Sequence, residues 1–109
     1  MATTYKVLGQ SNPAATTATT LYTVPASTSS VVSTIVICNQ AATSATFRIS
    51  VRQAGAAQTA AMYVAYDVTV GANDSTALTL GITLATTDVI TVYASSATLS
   101  FAAFGSEIA

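Results

Sequence analysis

Charged residues are scarce in this sequence. Lys and Arg number 3 and Asp and Glu number 4, so only 6% of the 109 residues are charged, against about 25% in an ordinary soluble domain. No cluster of basic residues is present to neutralise phosphate groups, and nucleic-acid binding is therefore not expected. A near-neutral surface favours association because little charge repulsion opposes contact between molecules. The composition favours a protein that packs against other protein.

The residues of common catalytic and metal sites are also missing. The chain has no His and a single Cys, Cys38, which excludes Ser-His and Cys-His nucleophile pairs, a structural zinc site and an internal disulfide. Cys38 lies in an apolar run and is predicted to be a buried, inert thiol. Asp74 and Asp88 lie in turn-forming segments, where such side chains cap turns. We therefore expect no enzymatic activity, no cofactor and no metal.

Long hydrophobic runs are absent as well. No run approaches the ~18 apolar residues of a membrane helix, and the opening MATTYKVLGQ lacks the basic and apolar regions of a signal peptide. We expect no membrane partner. By contrast, the small residues Ala, Thr and Ser supply about half of the chain. Thr is β-branched and suits a pleated sheet, where cross-strand Thr pairs are stabilising.

Alternation of apolar and polar residues is the strongest local pattern. It is typical of half-buried strands, and it occurs in four segments: 46–52, 62–70, 76–84 and 99–103. Two further segments are apolar on both faces, as in central strands or in strands whose outer face meets something other than water: 31–38 and 88–94. None of these patterns continues at helical spacing, so strands are predicted throughout.

The alternation also assigns side chains to faces. In segment 46–52, one face is predicted to hold Phe47, Ile49 and Val51. In segment 62–70, one face is predicted to hold Met62, Val64, Tyr66, Val68 and Val70. In segment 31–38, the two predicted faces are Val32, Val36 and Cys38 against Val31, Ile35 and Ile37.

Turn-forming residues separate these strands. Breaks rich in Gly, Pro, Asn, Asp and Ser define about eight short strands at roughly 8–14-residue spacing. Residues 1–109 are predicted to form one all-β domain, an antiparallel β-sandwich of jelly-roll or immunoglobulin-like type. Tyr5, Val7 and Leu8 predict an edge strand that pairs within the subunit or with a neighbour. The Ala-rich segment 53–61 has no apolar stripe and is predicted to be an extended loop, with a helix as the alternative.

Four side chains are predicted contacts with a partner: Arg48, Arg52, Tyr22 and Tyr93. The two Arg residues lie two apart on the polar face of one strand, where they would bind a partner carboxylate. Ordinary solvated residues are the alternative. The tyrosines lie in apolar strands, which favours core or interface positions. Together with Tyr63 they would instead form a carbohydrate-binding platform if their rings were exposed.

Seven segments, in order, cover most of the chain and carry a resemblance: TTLYTVPA (19–26), VVSTIVICN (31–39), FRISV (47–51), YDV (66–68), LTLGITL (78–84), DVITVYAS (88–95) and LSFAAFGSEI (99–108). The set resembles small virion structural proteins of tailed bacteriophages, those of cyanophages and other marine phages included. Related modules occur in tail-fibre proteins. The resemblance therefore implies a particle component, either a decoration or cement protein on the capsid or, nearly equally, a part of the tail or baseplate. It implies no catalytic residue.

These observations lead to two hypotheses. The first is a non-enzymatic structural subunit of the virion, assembled in the host cytoplasm, which would account for the unpaired Cys38. It would form a small closed homo-oligomer, a trimer, and contact itself and other phage structural proteins through apolar and hydrogen-bonding surfaces. The rival is a module similar to a fibre tip that binds host cell-surface glycan through exposed Tyr side chains.

Overall fold

Nine β-strands make up most of the computed structural model, which describes residues 2–109. They are β1 (Thr3–Ser11), β2 (Thr19–Thr23), β3 (Ser29–Asn39), β4 (Ala45–Arg52), β5 (Tyr63–Val70), β6 (Ser75–Leu78), β7 (Ile82–Leu84), β8 (Val89–Ala94) and β9 (Leu99–Ile108). Between β4 and β5 the chain makes two single 3-10 turns, Gln53–Gly55 and Ala60–Met62. Segment 53–61 is thus neither fully extended nor an α-helix. No helix in residues 2–109 is long and apolar enough to cross a membrane.

The strands pair in a nested order. One sheet runs β1-β9-β3-β6, with β7 also paired to β3, and the other runs β2-β8-β4-β5. With β6 and β7 counted as one interrupted strand, the first strand pairs with the last, the second with the second last, and so on to the innermost pair β4–β5. Two antiparallel sheets connected in this way form a jelly roll. The predicted all-β sandwich is confirmed, in its jelly-roll form rather than its immunoglobulin-like form.

The predicted strand 76–84 is divided in two. β6 and β7 both pair with β3, through Leu78 opposite Ile35 and Ile82 opposite Val32. Between these pairs the chain carries one residue more than β3 does, and Gly81 adopts a positive φ of 62°. Gly tolerates this conformation without steric cost, so the extra residue is accommodated as a break in the strand. This break accounts for nine strands where about eight were expected.

The inner faces of the two sheets form the core. Phe47 from one sheet and Phe101 from the other meet edge to face, with ring centroids 6.1 Å apart. The alternation predicted for segment 99–103 is confirmed, because Leu99, Phe101 and Ala103 are buried. In β8, which was predicted to be apolar on both faces, Ile90, Val92 and Ala94 are buried as well. Each large aliphatic side chain removed from water in this way contributes roughly 1.5–3 kcal/mol. The prediction of a central strand at 31–38 is confirmed too, since β3 lies between β9 and β6.

Two bulges overturn the face assignments predicted for segments 31–38 and 62–70. In β5, Asp67 has a φ of 51°, and the face changes there, so that Val64 and Tyr66 are exposed while Val70 is buried. In β3, the register shifts between Val32 and Thr34, which buries Val32, Ile35 and Ile37 and turns Val31, Val36 and Cys38 outward. One extra residue inverts a period-2 pattern. Cys38 is consequently half-buried on the outer face, not enclosed in the core.

Gly105 allows β9 to lie close against β3. A Cβ atom at this position would be 2.0 Å from the carbonyl oxygen of Val31, a distance at which backbone atoms would have to move apart. Gly9 plays the same role where β1 passes β2, because a Cβ atom there would be 2.1 Å from the carbonyl oxygen of Leu21. Both glycines are therefore required by close backbone approach.

Candidate functional site

The outer face of the five-stranded sheet, called the uncharged face below, carries no charged side chain among the described residues. Residues opposite each other in an antiparallel ladder point to the same side. One row across this face consists of Gln10, Ala102, Val36 and Ala77, and the next of Tyr5, Ser106, Val31 and Thr83. The side chains on this face are therefore apolar or neutral polar, which the sequence pattern did not reveal.

The 7 charged residues of the chain lie elsewhere. Lys6 alternates with the outward Tyr5 and Val7, and its Nζ lies 2.9 Å from Oε1 of Glu107. Asp74 and Asp88 accept backbone N–H groups in turns, as the sequence predicted. The remaining three, Arg48, Arg52 and Asp67, belong to the other sheet and its loop.

Large apolar groups are exposed on the uncharged face. Tyr5 is 83% exposed, Val7 48% and Phe104 37%. With Val31 they line an open groove of about 570 Å³. Lys6 also borders this groove, and its Nζ is paired with Glu107. A second groove of about 370 Å³ lies further along the same face and includes Cys38. The face thus presents aromatic and aliphatic surface that no residue between 2 and 109 covers.

The outer face of the four-stranded sheet, unlike the uncharged face, carries charged side chains. Arg48 lies between two aromatic rings, with its guanidinium carbon 4.2 Å from the ring centroid of Tyr66 and 4.5 Å from that of Tyr93. Its Nε donates a hydrogen bond to Oδ1 of Asp67 at 2.7 Å, and its Nη2 lies 3.4 Å from Oδ2. The hydrogen bond to Asp67 raises the pKa of Arg48 above its already high ordinary value. Arg48 is therefore held by its own chain.

The β5 bulge assembles this cluster. Because Asp67 takes a positive φ, both Tyr66 and Asp67 come to lie beside Arg48 on the outer face. The alternation had placed these two residues on opposite faces of β5. No feature of the sequence locates the bulge, so sequence reasoning identified Arg48 and Tyr93 but missed the two residues that complete the cluster.

A groove adjoins the cluster. The rings of Tyr63 and Tyr66 meet at 81° with centroids 4.9 Å apart. Together with Gln58, Thr59 and Ala60 they line an open space of about 470 Å³. Gln58 is fixed in this position because its Oε1 accepts a hydrogen bond of 2.5 Å from Ser50 Oγ. This aromatic groove combines two ring surfaces with a hydroxyl and an amide.

Arg52 stabilises the loop that forms one wall of this groove. Its Nε donates to the carbonyl of Ala56 at 2.7 Å, and its Nη2 donates to that of Gly55 at 2.9 Å. Arg52 was predicted to bind a partner carboxylate. In the structure its guanidinium binds the backbone of its own chain and orders the loop, and its contact with a partner stays a prediction.

Tyr22 lies in the interior and not on the surface. It is only 7% exposed, its hydroxyl donates to Oε2 of Glu107 at 2.5 Å, and the Ser30 hydroxyl lies 2.6 Å away. Burial, followed by the bond to Glu107, raises the pKa of Tyr22 to about 12. The bond from Tyr22, followed by that from Lys6, lowers the pKa of Glu107. Tyr22 therefore contributes to neither outer surface.

Comparison with known proteins found no matching family, no matching curated protein and no matching solved structure. Within residues 2–109, no three His, Cys, Asp or Glu side chains come together as metal ligands. The two outer faces of the sandwich are therefore the candidate functional surfaces.

Proposed function

We propose that this protein is a non-enzymatic structural subunit of a tailed-phage particle, and that it assembles through its uncharged face. The observation that carries the proposal is the segregation of all charged side chains away from one whole face of the sandwich, where Tyr5, Val7 and Phe104 are exposed. Apolar surface of this kind marks interaction sites. The segments that resemble small phage virion proteins supply the identity of the particle.

The occupant of the uncharged face is a second copy of the same chain. When two identical charged surfaces meet, their like charges repel each other. The uncharged face carries no charged side chains, so two copies can pack through it without this repulsion. Four strands spaced ~4.8 Å apart, over seven or eight residues of ~3.3 Å each, give about 500 Å² per copy. Two copies would bury about 1,000 Å², which reaches the threshold for a specific interface.

The fold supports the proposal by analogy. Double-sheet jelly rolls are common in viral capsid domains, although a fold by itself does not define a function. The subunit forms a small closed oligomer. Packing of the uncharged face against the same face of a second copy gives a dimer, and a trimer forms if this face packs against a different surface of each neighbour. It attaches to the capsid surface as a decoration or cement protein, with the tail or baseplate as the alternative location.

Light scattering on the purified protein tests the self-association. The expected mass is a multiple of the 11.0 kDa chain mass. Ala102→Glu places a charge in the middle of the uncharged face and should yield a folded monomer, as should Ala77→Glu at its edge. Thr20→Glu lies on the outer face of the other sheet and should leave the oligomer intact. A wild-type monomer at micromolar concentration would contradict the proposed interface.

The particle itself gives the second test. Mass spectrometry of purified particles should detect the chain, and its copy number relative to the major capsid protein should distinguish a capsid location from a tail location. The chain's only thiol, Cys38, lies on the uncharged face. A maleimide reagent should therefore label it more slowly in the assembled oligomer than in the Ala102→Glu monomer. Absence of the chain from particles would overturn the structural role.

A further inference from the structure

We infer that the aromatic groove of Tyr63, Tyr66, Gln58, Thr59 and Ala60 is a binding site for a neutral polysaccharide, which places a second and separate function on the opposite side of the sandwich. The inference does not depend on the proposed structural role, because the groove lies on the four-stranded sheet and the proposed interface lies on the five-stranded sheet. A subunit docked through its uncharged face would leave this groove open to solvent.

The shape of the groove suits a pyranose ring. Its volume of about 470 Å³ lies within the range of ~300–1,000 Å³ that ligand sites occupy. The two tyrosine rings stand at 81° to each other and form a corner. A pyranose has a face of C–H groups that packs against an aromatic ring, and a rim of hydroxyls that needs hydrogen-bonding partners. Tyr side chains meet both requirements because each has an apolar body and a polar tip.

The groove also has polar groups that can form hydrogen bonds with the hydroxyls of a sugar. Gln58 and Thr59 also line the groove and bring an amide and a hydroxyl to it. Gln58 Oε1 accepts from Ser50 and one N–H of its Nε2 donates to the carbonyl of Thr59, so the second Nε2 N–H is left for a ligand. Asp67, with 48% of its side chain exposed, follows Tyr66 directly and adds a carboxylate beside the groove. A few fixed polar groups around an aromatic surface are the usual composition of a small-ligand site.

The charges at the site favour a neutral ligand. The groove is lined by no charged side chain, and the nearby Arg48 and Asp67 neutralise each other at 2.7 Å. An anionic glycan would find no free cation there, and a cationic ligand would find its carboxylate already paired. The same face would therefore discriminate against phosphate-rich or sulfated polymers.

The site is also held in place before any ligand binds. Arg48 stacks against Tyr66, Ser50 fixes Gln58, and Arg52 fixes the loop at Gly55 and Ala56. Pre-organisation lowers the entropy that binding must overcome.

Titration of the ¹⁵N-labelled protein with defined oligosaccharides tests the inference. The probes are maltohexaose, isomaltohexaose, cellohexaose, xylohexaose and chitohexaose. At least one should produce saturable shifts confined to the amides of residues 58–67. Tyr66→Ala should weaken that binding by at least about tenfold, as expected for an aromatic residue central to a site. Tyr5→Ala is the matched control, because Tyr5 is an exposed tyrosine on the uncharged face, and it should bind like the wild type.

Three further measurements keep the result decisive. Circular dichroism establishes that each variant folds, and Gln58→Ala replaces Tyr66→Ala if the latter does not. Dextran sulfate should produce smaller shifts at these amides than the best neutral probe. The monomeric Ala102→Glu variant should bind as the wild type does, which separates this inference from the proposed assembly. Lack of saturable shifts with every neutral probe, or unchanged binding by the groove variant, would overturn the inference.

Discussion

The hydroxyl of Tyr22 on β2 donates a hydrogen bond of 2.5 Å to the carboxylate of Glu107 on β9, and this bond connects the two sheets across the interior. Ser30 lies 2.6 Å from the same hydroxyl, and Lys6 lies 2.9 Å from the other carboxylate oxygen. A buried polar network of this kind is stabilising when each member has a partner and costly when one is removed. Two predictions concern its protonation.

The network should make the protein sensitive to alkali. Because the pKa of Tyr22 is raised from 10.0 to about 12, the native state retains a proton that the unfolded chain loses first. The stabilisation is fully present below pH 10 and is lost as the pH rises toward about 12. Urea denaturation across this range should show a falling free energy of unfolding. Tyr22→Phe should start about 1–3 kcal/mol less stable and lose less over the same interval. Equal pH dependence in both proteins would contradict the prediction.

Acid should act on Glu107. Its pKa is lowered from 4.5, first by the hydrogen bond from Tyr22 and then by that from Lys6. The folded state therefore prefers the ionised form, so the stabilisation is present above pH 4.5 and is lost as the pH falls through the lower native value. Thermal melts from pH 6 to pH 2 should show this loss in the wild type. Glu107→Gln removes the titrating group, and its melting temperature should fall less over the same range.

Substitution of Gly105 should separate β3 from β9. Gly105→Ala places a Cβ atom 2.0 Å from the Val31 carbonyl oxygen, and backbone atoms on both strands must move to relieve the contact. We expect a loss of about 3 kcal/mol or more, measured by chemical denaturation. Gly71→Ala is the control, because the nearest atom to its Cβ would lie at an ordinary 3.8 Å. Similar stability of the two variants would refute the close approach.

We expect Asn39 to contribute more to the free energy of unfolding than most polar residues do. It is 1% exposed, and its Nδ2 donates to the carbonyls of Thr43 at 2.8 Å and Gly71 at 3.2 Å. Its Oδ1 accepts from the backbone N–H of Ala41 at 3.0 Å. Asn39→Ala leaves these buried groups unpartnered, and we expect a loss of about 2–4 kcal/mol in denaturation experiments. The exposed neighbour Gln40→Ala should change stability by less than about 0.5 kcal/mol.

The sequence predicted the strands more reliably than the faces they present. Alternation located β4 and β9 because no bulge interrupts their inward-facing residues over the predicted segments, and a run that is apolar on both faces located β8. It failed at Asp67 and at Val32 to Thr34, because a bulge depends on the partner strand and leaves no period of its own. The uncharged face depends on the bulge in β3, because that bulge turns Val31, Val36 and Cys38 outward, and for this reason it could not be derived from composition alone.

For the predicted contact residues Arg48 and Arg52, the sequence likewise indicated the strand but not the groups that the side chains bind. The residue types and the strand of Arg48 and Arg52 were evident, but their partners were not. Arg48 pairs with a residue 19 positions away, and Arg52 binds carbonyls of an adjoining loop whose path has no regular pattern. Side chains that bind their own backbone or a bulged neighbour are fixed by tertiary structure. A single sequence does not encode that information in any local pattern.

The nested strand order also determines when the chain can acquire its structure during translation. β4 and β5 are neighbours in sequence, so they can pair early. Thr3 of β1 pairs with Ile108 of β9 and can do so only after nearly the whole chain has been synthesised. Loop closure is unfavourable until distant contacts form, so we expect pairing to proceed outward from the β4–β5 hairpin. At a ribosomal rate of ~5–20 residues per second, β1 remains without its partner for about 5–20 seconds. During that interval its Tyr5 and Val7 are presented on an unpaired strand, and a neighbouring nascent chain on the same messenger RNA offers the nearest competing partner.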